Sequence, residues 1–202
     1  MGAHPQTAIR PGFADPVAEA QDAFRAAMDA LARPAQPLAF APTLGAPFEP
    51  AMAALALSLL DFEVTFWLAP SLDRNVAVGD YLRFHTGSRQ VASPFEAGFA
   101  LVDLTAGDRL DLGAFAQGTA EYPDRSTTVI VRCDGFAPQP GLTADGPGIA
   151  GRAPFGFSPM PAGFVGDWAR NRAGFPLGVD LLFVAGGRLM GLPRSTRIHT
   201  GG

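Results

Sequence analysis

The sequence predicts a single α/β domain, a sandwich of helices and a sheet with a β-hairpin closing one side. Three observations support this fold class. Candidate helices and strands alternate from end to end, two strand-like segments flank Gly186-Gly187, and 48% of the 202 residues are hydrophobic against 17% charged. That composition is sufficient to bury a core. We expect residues 15–202 to form the domain and residues 1–14 to be disordered.

The first third of the chain contains two predicted helices and two predicted strands. Asp15 is a good N-cap and Pro16 suits the first helical position, so a helix is expected from there until Pro34 stops it. Its apolar face is expected to comprise Val17, Ala20, Phe24, Ala27, Met28 and Leu31. The following predicted elements are a short strand at 38–41, a deeply buried helix at 50–60 and a buried strand at 64–68.

The middle of the chain is predicted to contain two helices and two strands before an irregular region. Asp73 is expected to cap a helix that runs through His85, and Gly87 suits the left-handed position just past its end. Strands are predicted at 98–102 and 127–132, with a weak helix at about 109–117 between them. Between 134 and 164, six prolines and seven glycines predict little regular structure.

The last part of the chain is predicted as a short helix at 164–172 followed by a hairpin. Segments 178–185 and 188–192 are joined by two glycines that can adopt the positive φ of a type I′ turn. With a two-residue turn, paired residue numbers sum to 373. Asp180 is therefore expected to lie beside Arg194, Ser195 and Thr196.

Residues 146–151 match the dinucleotide-binding pattern G-x-G-x-x-G. That pattern holds a pyrophosphate only where a strand leads into it and a helix starts from it. Only Leu142–Ala144 is available as a strand, and four prolines or glycines follow where the helix would begin. We expect a turn or loop. A nest of glycine N–H groups that holds an anion is the alternative.

Composition excludes several classes of function. The net charge is −4 with no basic run, which argues against nucleic acid or an anionic membrane as the partner. The amino terminus lacks the apolar region of a signal peptide, and the longest apolar run has 11 residues, so a cytoplasmic protein is expected. No lysine is present, which excludes a Walker A loop and a pyridoxal phosphate Schiff base.

The single cysteine and the few histidines provide no metal site. Cys133 is expected to be an ordinary core residue on the strand face of Val129 and Val131. The polar group around Asp180 and Arg194 has two interpretations. It forms an ion pair at solvated strand ends, or it binds an anionic substrate or a partner chain.

Five short motifs occur in an order that resembles the PhnH family, the H subunit of the bacterial carbon–phosphorus lyase system. They are Ala20–Arg25, Tyr81–Thr86, Gly146–Ile149, Phe175–Asp180 and Leu192–Arg197, and the resemblance extends from about residue 15 to 198. It implies a three-layer α/β/α sandwich with a mixed sheet, similar to the large domain of pyridoxal phosphate-dependent transferases but without that cofactor.

The resemblance also implies a function in phosphonate breakdown. Family members form homodimers in isolation and join the G, I and J subunits in a core complex. With the G, I and L subunits they are required to form ribose 1-phosphonate 5-triphosphate from ATP and a phosphonate. We expect an accessory or assembly role, with no cofactor and no metal; the alternative is an independent phosphate- or nucleotide-binding enzyme or module. No catalytic residue is assigned, and the ligand-binding candidates are Gly146, Gly148, Arg83, His85, Asp180, Arg194, Ser195 and Thr196.

Overall fold

The fold was determined from a computed structural model that describes residues 9–201. The predicted disorder of residues 1–8 lies outside the described residues. The helices are α1 (Pro16–Ala32), α2 (Pro50–Leu59), α3 (Pro70–Asp73), α4 (Val76–Thr86) and α5 (Phe164–Ala173). The strands are β1 (Leu38–Ala39), β2 (Thr65–Leu68), β3 (Arg89–Gln90), β4 (Phe99–Asp103), β5 (Thr128–Arg132), β6 (Leu142–Asp145), β7 (Ala153–Pro154), β8 (Asp180–Ala185), β9 (Arg188–Leu192) and β10 (Arg197–Thr200).

Seven of the strands form one mixed sheet in the order β1-β9-β8-β5-β4-β2-β3. Neighbours from β8 to β3 are parallel, whereas β9 is antiparallel to both β8 and β1. The predicted α/β class with a mixed sheet is therefore confirmed. Side chains alternate across the sheet, so that Leu101, Ile130 and Leu182 enter one hydrophobic cluster while their immediate neighbours enter another.

The first hydrophobic cluster lies between the sheet and helices α1, α2 and α4. Helix α2 is buried along most of its length, from Ala51 to Ala56, as its apolar sequence predicts. Helix α4 ends at Gly87, whose φ of 70° is left-handed, which confirms the predicted C-cap. Residues 9–14 cross this layer, because the Tyr81 hydroxyl donates to the Pro11 carbonyl (3.2 Å).

The second cluster covers the opposite face of the sheet and is rich in aromatic rings. Helix α5 contributes Phe164 and Trp168, and the segment before it contributes Phe155 and Phe157. The Phe157 ring lies 4.4 Å from that of Phe183 on β8, centroid to centroid. Because hydrophobic clusters cover both faces of the seven-stranded sheet, most residues of its central parallel strands β4, β5 and β8 are buried.

The predicted apolar face of α1 is only partly correct: Ala27 is buried and Leu31 packs against the first cluster, but the three other large residues lie on the surface. Val17, Phe24 and Met28 are 69%, 50% and 51% exposed, and the buried residues are the alanines Ala23, Ala27 and Ala30. The reason is the close approach of α1 to β9. A Cβ atom added to Gly191 would overlap the Ala30 carbonyl group and lie 2.7 Å from the Leu31 nitrogen. Only small side chains fit at this contact, so the large ones face outward.

Two further helix predictions need correction. Asp73 ends α3 and does not cap α4; the cap is Asn75, whose side chain accepts from the Ala77 N–H (3.3 Å). The helix expected at 109–117 is only a 3₁₀ turn, Leu112–Ala114. Its Leu112 and Phe115 carbonyl groups accept from the Gln117 side chain (both 2.9 Å) instead of from a continuing helix.

The region from 134 to 164 has more regular structure than its prolines and glycines predict. Strand β6 pairs antiparallel with β10 on one side and with β7 on the other, forming a small three-stranded sheet. Strand β10 comes from the carboxyl-terminal tail, where no strand was expected. The pairing joins Leu142 to Thr200, which are more than fifty residues apart in the sequence. Local sequence patterns cannot predict a pairing at that separation.

The predicted hairpin is confirmed in both register and turn. Leu181 pairs with Leu192, as the sum of 373 requires. Gly186 and Gly187 have φ values of 52° and 72°, which are the two positive angles of a type I′ turn.

Candidate functional site

The Gly146–Gly151 loop lacks the surroundings of a dinucleotide site. A strand, β6, does lead into it, but that strand pairs antiparallel in the small sheet. The loop continues into β7, and the next helix in the described chain begins only at Phe164. No helix N-terminus is present to hold a pyrophosphate, as the prolines predict.

Close packing accounts for the glycines of this loop. A Cβ atom on Gly148 (φ 83°) would overlap the Ala32 carbonyl oxygen at the end of α1 and lie 2.8 Å from the Pro34 ring. A Cβ atom on Gly146 (φ 136°) would lie 3.2 Å from the Ser195 carbonyl oxygen. The loop therefore packs against the end of α1 and against the segment after β9. This packing places Gly146 in contact with Ser195 and Thr196.

Thr196 is completely buried beneath this contact. Its carbonyl oxygen accepts from the Trp168 indole N–H (2.9 Å), which ties the segment to α5. Its hydroxyl oxygen has no hydrogen-bond partner among the described residues. Among the buried side-chain polar atoms of residues 9–201, only this oxygen and the Arg172 Nε lack a partner.

Asp180 and Arg194 form an ion pair, as their positions in the hairpin predict. The Arg194 Nε lies 3.1 Å from each carboxylate oxygen, and the Arg194 backbone N–H also donates to Asp180 (2.7 Å). The other two guanidinium nitrogens, Nη1 and Nη2, donate to the Pro123 carbonyl (2.9 Å), the Pro176 carbonyl (3.3 Å) and the Ser126 hydroxyl (2.5 Å). Both side chains are mostly buried. Through these hydrogen bonds, Arg194 links the segment after β9 to the segment before β5 and to the segment that leads into β8.

Arg83 and His85 lie on α4, in the layer that covers the opposite face of the sheet from α5. Arg83 donates to Asp80 and to the Gln90 side chain (2.5 and 2.6 Å). The His85 Nε2 lies 2.9 Å from the Arg10 carbonyl oxygen, and its ring packs edge-on against Tyr81. The structure thus places His85 against residues 10–12 and Arg83 against Gln90 of β3.

A polar triad that the sequence did not indicate lies directly before the glycine loop. Asp145 on β6 accepts from Arg197 (2.6 Å) and lies 2.7 Å from the His199 Nε2, both on β10. The hydrogen bond from Arg197 holds the pKa of Asp145 below its usual value. Only the pairing of β10 with β6 brings these residues together.

Cys133 lies in the core as predicted. Its side chain belongs to the cluster of Val129 and Val131, and burial raises the pKa of the thiol to about 12. A thiol in this state is a poor nucleophile and a poor metal ligand. Within residues 9–201, no group of three His, Cys, Asp or Glu side chains is arranged to hold a metal ion.

The carboxyl edge of the parallel sheet contains the crevice where ligands of open α/β folds usually bind. The chain leaves β2 toward β3 and leaves β4 toward β5, so the strand order reverses between β2 and β4. Ser71 and Asp108 bridge this point through hydrogen bonds of 3.0 and 2.5 Å. Asp103, at the end of β4, pairs with Arg132 (3.0 Å).

A cavity of about 520 Å³ opens beside this bridge. Its charged lining residues are Asp108, Asp111, Asp167 and one arginine, Arg109. Residues 159–162 supply an apolar part of the wall. The sequence did not predict this cavity. The signal that could have indicated it is the buried strand at 98–102 followed by Asp103 and Asp108, which places these carboxylates at the carboxyl edge of the sheet. The predominance of carboxylates makes it unsuited to anionic ligands.

Comparison with known proteins identifies the relatives of this fold. Residues 11–199 match the family described as bacterial phosphonate metabolism protein (PhnH). The chain belongs to the PhnH family. In the described part of this PhnH-family chain, no helix has both the length and the apolar character needed to cross a membrane.

Two named relatives are similar to this PhnH-family chain over half of its length or more. One, from Rhizobium meliloti (strain 1021), is named alpha-D-ribose 1-methylphosphonate 5-triphosphate synthase subunit PhnH. It is 39% identical over 189 residues, which cover 93% of this chain and 94% of the relative. The other, from Stutzerimonas stutzeri, is named putative C-P lyase subunit protein HtxG and is 36% identical over 111 residues, 55% of each chain.

Proposed function

We propose that this chain is a subunit of the carbon–phosphorus lyase system, needed with the G, I and L subunits to form ribose 1-phosphonate 5-triphosphate from ATP and a phosphonate. Its contribution is accessory: it supports assembly and does not catalyse the reaction alone. The observation that carries the proposal is the match to the R. meliloti synthase subunit over 94% of that protein.

The state of Arg194 supports an accessory role. An arginine that binds a phosphate or phosphonate must present N–H groups toward solvent. In this chain the guanidinium group is engaged by Asp180, Ser126 and two backbone carbonyl groups. The residue best suited to an anion is thus already committed to internal contacts.

The charge of the carboxyl-edge cavity supports the same role. ATP and phosphonates are anions, whereas Asp108, Asp111 and Asp167 line the cavity against the single Arg109. Electrostatic repulsion would weaken binding of either substrate there. The chain also contains no lysine that could contact a triphosphate.

Several properties of the family extend the proposal. We expect the isolated chain to be a homodimer, to assemble with the G, I and J subunits and to act in the cytoplasm. We also expect its mixed sheet to superpose on the large domain of pyridoxal phosphate-dependent transferases. The absence of lysine agrees with a member of that fold that forms no Schiff base.

Reconstitution tests the proposed function. The full chain is combined with the G, I and L subunits of the same bacterium, ATP and methylphosphonate, and adenine release is followed by chromatography. The full mixture should release adenine, omission of this chain should abolish release, and the chain alone should be inactive. Adenine release by the chain alone would overturn the accessory role, and full activity without it would overturn the subunit role.

A second candidate function is binding of a phosphate group at Gly146, Gly148, Ser195 and Thr196. The specific observation that favours it is the buried Thr196 hydroxyl, which lacks a partner beside three positive-φ glycines. Calorimetry of the isolated chain with ATP and with methylphosphonate distinguishes the candidates. Heat of binding that disappears in Thr196→Val would support this second function, and no binding of either compound would refute it.

A further inference from the structure

Three exposed phenylalanines lie around the amino end of β2. Phe62, Phe84 and Phe95 are 78%, 66% and 67% exposed, which is unusual for side chains of this size. Phe62 lies against Gly87, since a Cβ on that glycine would be 3.5 Å from the Phe62 Cβ. Gly87 follows Phe84 by three positions, so Phe62 and Phe84 emerge at the same end of the domain.

Phe95 is brought to the same region by a hydrogen bond. The Thr65 hydroxyl, at the start of β2, donates to the carbonyl of Glu96 (2.7 Å). Phe95 therefore lies near the residues that precede β2, among them Phe62. This is also the side of the domain where β3 forms the open edge of the seven-stranded sheet.

Carboxylates flank two of the three rings in the sequence. Asp61 and Glu63 adjoin Phe62, and Glu96 adjoins Phe95; all three acidic residues are exposed. Among the described residues, none of these three forms a salt bridge. We call the set Asp61, Phe62, Glu63, Phe84, Phe95 and Glu96 the Phe62 surface.

We propose that the Phe62 surface docks a basic, arginine- or lysine-bearing face of a different subunit of the complex. The inference rests on the proposed function. Exposed rings next to carboxylates suit a cationic side chain, which gains a cation–π contact and an ion pair at once. Burying the phenyl groups supplies the apolar centre that a stable interface needs.

Charge also argues against a second copy of the chain as the occupant. A two-fold dimer places the same surface on both sides of its axis. At the Phe62 surface, three unpaired carboxylates outnumber the one exposed arginine beside them, Arg89, which pairs with Thr65 in the β2–β3 ladder. Such contact would therefore bring an excess of negative charge together, and like charges across an interface are costly. A partner of opposite charge avoids this repulsion.

The test is assembly of the full chain with the G, I and J subunits of the same bacterium. Size-exclusion chromatography with light scattering gives stoichiometry, and biosensor titration of the chain onto the assembled partners gives the dissociation constant. The variants are Phe62→Ser with Phe95→Ser, and Glu63→Arg with Glu96→Arg. Because all four positions are exposed, circular dichroism melting should show that both variants fold like the original chain.

The matched control is Phe24→Ser, an exposed phenylalanine on α1. We expect each double variant to raise the dissociation constant more than about tenfold and the control to leave it unchanged. Equal binding of the double variants and the original chain would overturn the inference, as would equal loss in the control. Loss of self-association alone would also overturn it, by assigning the surface to a homodimer. If the original chain binds none of these subunits, the proposed function fails first and the inference fails with it.

Discussion

Replacement of Gly148 by alanine tests whether close packing explains the glycines of the 146–151 loop. At Gly148 the backbone is left-handed, and a Cβ atom would overlap the Ala32 carbonyl oxygen and crowd the Pro34 ring. The left-handed conformation costs an alanine roughly 1–2 kcal/mol. Overpacking adds roughly 1–3 kcal/mol, because the end of α1 or the loop must shift.

Gly151 provides the matched control for this variant. Its φ of 73° is also left-handed, but a Cβ atom there would meet nothing within 4 Å. Gly151→Ala should therefore lose only the conformational part. We expect urea denaturation to show Gly148→Ala less stable than Gly151→Ala by about 1–3 kcal/mol.

The comparison has a clear outcome that would refute it. If both variants lose the same free energy of unfolding, the contact with Ala32 does not restrict this position. If instead Gly148→Ala remains as stable as the control but loses measurable binding of ATP, the loop serves a nucleotide and the packing explanation is wrong.

Three other predictions concern charged and buried groups. Asp180→Ala should destabilise the chain by about 3–5 kcal/mol, because it leaves the mostly buried Arg194 without its carboxylate; Asp167→Ala, at an exposed pair, should cost less than about 1 kcal/mol in the same urea titration. Cys133 should not react with a thiol reagent at pH 8 in the folded chain, since its pKa is about 12, and should react fully in denaturant; fast reaction in the folded chain would contradict its burial. Because Arg197 lowers the folded-state pKa of Asp145, the carboxylate stabilises the fold above its unfolded pKa of about 3.9, and this contribution disappears as the pH falls through the lowered folded pKa. The stability difference between the original chain and Asp145→Asn should thus shrink as the pH falls below about 4, where the carboxylate becomes protonated; a difference that grows in that range would have the wrong sign.

Much of the fold could be predicted because local chemistry determined it. The Asp15-Pro16 start of α1, the left-handed Gly87 and the two-glycine hairpin all depend on residues within a few positions of one another. Pairing in the hairpin then follows from the turn length, which is why the contact of Asp180 with Arg194 could be predicted.

The features that could not be predicted depend on residues far apart in the chain. The buried alanine face of α1 is determined by Gly191, some 160 positions away, against which larger side chains do not fit. The small sheet and its Asp145 triad require β10 to reach β6. For the candidate site, the hairpin register predicted that Asp180 lies beside Arg194. It could not predict that the Arg194 guanidinium also binds Ser126 and the carbonyl of Pro123, which are about seventy positions away.

The pairing of β1 with β9 affects how the chain is made in the cell. Leu189 is synthesised 151 residues after its partner Leu38. At about 5–20 residues per second, the nascent amino-terminal helix waits roughly 8–30 s for the strand against which it packs. During that interval the part of its alanine face that packs against β9 is uncovered, so we expect chaperones that bind nascent chains to raise the yield of folded protein.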